Sequence, residues 1–201
     1  MAAEGTGASP TMTTSNLVRW GGGAGVLAAV LFVLSGILNL LAPQQQGVLN
    51  SFSDYLYAII LAVAFALPLV VIAGLHALHS RRYGRLGAAG SFITFIGYAL
   101  ISVLTAGSTL VQGEALYAVR LIAAAAVLIG SILLGAMILR ARVLPWWCGV
   151  LLIVGFPLGD VVNDVVGEGS EGIVFAILWG LIGYALLSLR GTVAGQPSRV
   201  S

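Results

Sequence analysis

The segment RLIAAAAVLIGSILLGAMILRAR, residues 120–142, decides the fold class. Between Arg120 and Arg140 it runs from Leu121 to Leu139 without one charged side chain. Crossing about 30 Å of hydrocarbon takes roughly 20 apolar residues in a helix. The backbone of such a segment has no water to bond, so only a helix satisfies it. Barrel strands would be shorter and would alternate polar with apolar residues.

Five more runs of the same kind flank this one. They cover about Trp20 to Leu41, Tyr55 to Leu78, Leu86 to Gly107, Val143 to Leu158 and Ile173 to Leu189. The first is too long for a signal-peptide core and is not followed by a small-x-small cleavage site, so it reads as a span. The chain has 201 residues, 59% hydrophobic and 8% charged. Soluble domains average about 25% charged, so the apolar excess here has to face lipid. The expected fold class is all-α: a polytopic transmembrane helix bundle of six spans.

The charges lie in the gaps between runs, and the gaps alternate in sign. Arg19 precedes the first run, Arg81, Arg82 and Arg85 fill the second gap, Arg140 and Arg142 the fourth, and Arg190 follows the last. The other gaps hold Asp54, then Glu114, then Asp160, Asp164, Glu168 and Glu171. Arginine collects on the cytoplasmic side, which puts both the N-terminus and the C-terminus in the cytoplasm. Trp20, Tyr83, Trp146 and Trp147 then mark the inner interface, and Tyr55, Tyr57 and Tyr117 the outer one. Residues 1–18 are small and polar and read as a disordered cytoplasmic leader, residues 19–190 as the six-helix domain, and residues 191–201 as a cytoplasmic tail.

An internal repeat is suggested by Asp54-Tyr55-Leu56-Tyr57-Ala58-Ile59 and Glu114-Ala115-Leu116-Tyr117-Ala118-Val119. Each opens a span with an acid followed by a tyrosine, and each span later carries a glycine, Gly74 or Gly135. Glu171 opens the sixth span in the corresponding place, so three tandem helical hairpins are expected. Chance likeness among Ala/Leu/Gly helices is the plainer explanation.

Small residues recur inside the spans, among them Gly21, Gly22, Gly23, Gly25, Gly130, Gly135, Gly180 and Gly183. They are expected at internal helix contacts, where close backbone approach supplies van der Waals attraction. A homodimer face running from Gly21 to Gly25 is the sharper alternative.

Few residues could carry chemistry. Arg120 is the exception to the charge pattern, since it falls on the acidic side. It could simply snorkel outward, or it could anchor an anion beside Glu114. Asp160, Asn163 and Asp164 are spaced i, i+3, i+4 and share one helix face if the fifth helix runs that far. A solvated acidic loop is the bland reading; a hard-cation site is the sharp one. An ion pair from Arg120 to Asp160 or Asp164 is expected across two helices. The candidate binding residues are therefore Arg120, Glu114, Asp160, Asn163 and Asp164.

His76 and His79 lie on one helix, whereas haem b takes axial ligands from two; interfacial histidines are the reading, and neither a cofactor nor a metal is expected. The single cysteine, Cys148, reads as an apolar filler. The hydroxyls Ser102, Thr105, Ser108 and Thr109 are expected to bond back to their own helix. No phosphate loop, nucleophile elbow, zinc motif or dinucleotide fingerprint is present. The arginines form no stripe suited to nucleic acid.

The junction Leu134-Gly135-Ala136-Met137-Ile138-Leu139-Arg140, then Val143-Leu144-Pro145-Trp146-Trp147-Cys148-Gly149, resembles one found in small bacterial multi-span proteins grouped as domains of unknown function. There a glycine-bearing helix ends in a basic loop, and a Leu-Pro pair opens the next helix. The resemblance implies six helices in a bacterial plasma membrane and supplies no catalytic residue. The functional expectation is an integral membrane protein that is not an enzyme. It would be an accessory or interaction subunit within the lipid bilayer, in a homo-oligomer or larger membrane complex. A small-molecule or lipid transporter with an outward polar cavity is the alternative. A membrane-embedded enzyme is the third reading.

Overall fold

The computed structural model describes residues 11–41, 52–79, 84–107, 114–167 and 169–189. They form six helices: α1 (Thr11–Leu41), α2 (Phe52–His79), α3 (Gly84–Gly107), α4 (Glu114–Ala141), α5 (Trp146–Val166) and α6 (Glu171–Ser188). All six are long and apolar enough to cross a membrane. The chain is thus an all-α, six-span bundle and a multi-pass membrane protein.

The helices extend beyond the apolar runs. α1 begins at Thr11, directly after Pro10, so residues 11–18 are helical rather than part of a disordered leader. Proline suits a helix start because its missing N–H is not needed there. Residues 1–10 and the expected tail, 191–201, lie outside the described residues. α5 continues through Pro157 to Val166, eight residues past the apolar run. Pro157 removes one backbone hydrogen bond, yet the rest of the ladder and the packing on α6 hold the helix together.

Each helix packs on the helices before and after it in sequence, and α6 closes back on α1. The result is a ring of six up-and-down helices with short connections. Glycine contacts set its seams. A Cβ on Gly183 would lie 2.7 Å from the Gly22 carbonyl oxygen and 2.8 Å from the Val26 nitrogen. A Cβ on Gly25 would lie 2.7 Å from the Trp179 carbonyl oxygen. Real Cβ atoms do not come that near to backbone, so only glycine at both places lets α1 and α6 touch. Gly21 packs in the same way on Gly74 of α2. The glycines from Gly21 to Gly25, apart from Gly23, are thus consumed by contacts inside the chain and do not form an outward face for a second copy.

The repeat does not extend to packing. Gly74 of α2 meets Gly21 of the preceding helix, whereas Gly135 of α4 meets Gly149 of the following one. Positions equivalent in the repeat therefore face opposite neighbours.

Aromatic rings from five helices meet inside the ring. Phe32, Phe65, Phe175 and Phe156 come from α1, α2, α6 and α5, and Tyr98 and Trp179 from α3 and α6. Phe32 meets Phe65 edge to face at 5.2 Å, and Phe65 meets Phe175 across the ring at 6.0 Å. Tyr98 meets Trp179 edge to face at 5.4 Å. Each such pair stabilises by about 0.5–1.5 kcal/mol beyond simple contact. α4 lines this interior with Ala123, Val127, Leu134 and Ile138 instead. Leu75, Cys148, Leu152, Ile182 and Leu186 complete the packing toward the arginine-bearing end.

Four hydroxyls outside the expected set, those of Ser35, Ser91, Thr94 and Ser188, bond back to their own helix, for example Thr94 to the Gly90 carbonyl at 2.7 Å, while Ser108 and Thr109 lie outside the described residues. Ser102 does not bond back: it donates to the Ala62 carbonyl of α2 at 2.9 Å and ties α3 to α2. Such bonds between membrane helices contribute about 0.6 kcal/mol on average.

Candidate functional site

Polar groups concentrate where α5 turns into α6, at the acid-bearing end. The turn is built on two glycines in the left-handed half of backbone space, Gly167 at φ 122° and Gly169 at φ 90°. The Asn163 carbonyl accepts the Gly167 N–H at 3.0 Å, and its side-chain Oδ1 accepts the Gly169 N–H at 3.0 Å. Glu171 accepts the same Gly169 N–H through Oε2 at 3.0 Å. Ser170 donates to the Gly167 and Val162 carbonyls at 2.7 and 3.0 Å. Gly169 also sits against the Asn39 amide of α1, which locks the corner onto the ring.

The candidate residues fall into separate roles in this frame. Asp160, Asn163 and Asp164 lie on the last two turns of α5, not in a loop, so they do share one face. Asn163 is spent on the turn, since its Oδ1 holds the Gly169 N–H. Asp160 and Asp164 stay exposed at i, i+4. Among the described residues no three His, Cys, Asp or Glu side chains converge as metal ligands. Glu114 is the first residue of α4, and its side chain lies outside what is described.

Arg120 sits in the second turn of α4 and is exposed. The expected ion pair is not formed: no contact within 4.0 Å joins Arg120 to Asp160 or Asp164. The reason is the position of α4. Residues Tyr117 to Ile122 are all exposed, so this end of the helix stands clear of its neighbours and its arginine points away from the bundle. Replacing Arg120 by glutamine should therefore leave the unfolding free energy within about 0.5 kcal/mol of wild type, as for an exposed residue without a partner. A loss of about 3–5 kcal/mol in a denaturant titration, the range for breaking a buried charge pair, would show that a partner had been removed.

The two histidines also separate. His76 is exposed, whereas His79 is fully buried and its Nδ1–H donates to the Leu75 carbonyl at 2.9 Å. A carbonyl only accepts, which fixes the proton on Nδ1. His79 is thus buried between helices at the arginine-bearing end of α2, whereas His76 faces outward.

The aromatic cluster was not singled out from the sequence. Its signal was present: these rings lie inside the spans, away from the ends where membrane aromatics usually gather.

No protein-family model, curated protein or solved structure matches this chain.

Proposed function

We propose that this protein is a non-enzymatic accessory or interaction subunit of the bacterial plasma membrane, with both termini in the cytoplasm. The observation that carries the reading is the aromatic cluster inside the ring. Rings from five of the six helices meet there at 5.2–6.4 Å, in the position where a transporter would hold its substrate path. A bundle packed through its centre by glycines and aromatics suits a rigid scaffold whose outer faces meet partners. The Leu144-Pro145 junction supports kinship with the small bacterial multi-span proteins that it resembles. The arginine gaps support the cytoplasmic placement of both ends.

Native mass spectrometry of the protein lifted from its own membrane into nanodiscs tests this reading. The expected result is a complex of fixed stoichiometry, with a second copy or another membrane polypeptide. A lone chain that carries a small polar solute, and that exchanges it across proteoliposomes, would overturn the reading in favour of transport through the acid-bearing end.

A further inference from the structure

We propose that the arginine-bearing end of α3 and α4 is a binding site for the phosphate of an anionic glycerophospholipid. The inference needs only the six-span fold and does not depend on an accessory role.

The register between these helices is fixed by their glycines. Gly90 meets Leu133 and Leu134, and Gly97 meets Val127 and Ala123, so α3 and α4 run antiparallel. Continuing that register past Gly90 brings Arg85 level with Leu139 and Arg140. Both arginines are exposed. Each also ends a lipid-facing stripe on its own helix. Arg85 lies above Phe92 and Ile96, and Arg140 above Ile132 and Ile129, at spacings that share one helix face. Phe92 and Ile132 fall at one depth in the same register. A phosphate held by the two guanidinium groups would leave its acyl chains along these apolar stripes.

Charge complementarity selects the occupant. The described carboxylates, Asp54, Asp160, Asp164 and Glu171, belong to the opposite end of the bundle. Among the described residues neither Arg85 nor Arg140 has an ion pair. Basic pockets between membrane helices recruit anionic headgroups, at about 1 kcal/mol per arginine. The backbone adds a second observation. Arg142 ends α4 in the left-handed conformation, φ 50°, with its N–H on the Ile138 carbonyl at 3.2 Å. Glycine takes that capping position without strain, so the exposed Arg142 keeps a further guanidinium just past the end of α4 at a conformational cost. Exposed Trp146 follows at the start of α5, and such rings favour the membrane–water interface.

The test uses the full chain in nanodiscs of equal phosphatidylglycerol and phosphatidylcholine, with lipid retention read by native mass spectrometry. Wild type is expected to keep phosphatidylglycerol preferentially. R85Q/R140Q should lower that preference roughly thirtyfold. R142G should lower it several-fold while the protein becomes no less stable to heat. R19Q, at the same end on α1, should leave it unchanged. Wild-type preference in either of the first two variants would overturn the site. An equal loss in R19Q would also overturn it, because a diffuse surface field would then explain the retention.

Discussion

Replacing Gly183 by valine should open the seam between the first and last helices and cost about 3 kcal/mol of stability, the upper range for overpacking. A Cβ at this position already meets backbone atoms of Gly22, Val26 and Gly25. Backbone cannot rotate away as a side chain can, so α1 and α6 must separate. The lone cysteine offers the readout. Cys148 is fully buried, and a thiol-reactive dye will label it only when the bundle opens. Labelling on heating should begin at a markedly lower temperature in the valine variant. Gly23 supplies the contrast, because a Cβ there meets nothing within 4 Å. Gly23→Ala should label as wild type does. Equal behaviour of the two variants would mean that the glycines do not form a seam.

Trp179→Ala should be the most damaging single truncation in the ring, at about 3–5 kcal/mol. Trp179 is fully buried and holds Tyr98 edge to face. Its removal leaves a void inside the ring that neighbouring helices cannot fill without breaking their own glycine contacts. Trp179→Phe should cost only about 1 kcal/mol. The indole N–H makes no hydrogen bond of regular geometry and faces the Tyr98 side chain, so phenylalanine forfeits volume and at most a weak polar contact. Equilibrium unfolding by steric trapping or denaturant separates these outcomes. A phenylalanine variant as weak as the alanine variant would show that the N–H matters and that packing does not explain the site.

The number and order of the spans are legible in the sequence because the hydrocarbon thickness imposes a run length on each. Their ends are less so. α5 carries Asp160, Asn163 and Asp164 within its last turns, although the apolar run stops at Leu158. Helical hydrogen bonds tolerate polar side chains once the helix reaches the interface, so hydropathy marks the membrane and not the helix. The spacing of the candidate acids correctly places them on one face. It could not reveal that Asn163 would be engaged by the Gly169 N–H, since that depends on the path of a turn built on two left-handed glycines. Nor could it reveal that Arg120 would stand apart from Asp160 and Asp164. Charge alternation reports only the side of the membrane, and two residues on one side can lie on faces that never meet. Ring closure is the least legible feature. Gly21 and Gly25 share a face of α1, yet one serves α2 and the other α6. Glycine content marks a contact without naming the partner.

The claim on which the rest depends is that α1 closes against α6 within one chain. A Cβ on Gly180 would lie 3.1 Å from the Ala29 Cβ, a few tenths of an ångström inside the roughly 3.5–4.5 Å that a disulfide spans, so a small separation of the helices admits the bond. The direct measurement is oxidation of A29C/G180C in a Cys148→Ala background, followed by denaturing electrophoresis. The closed ring predicts a monomer of altered mobility that reverts on reduction. A chain that remains uncrosslinked, or that forms only crosslinked dimers, would contradict it.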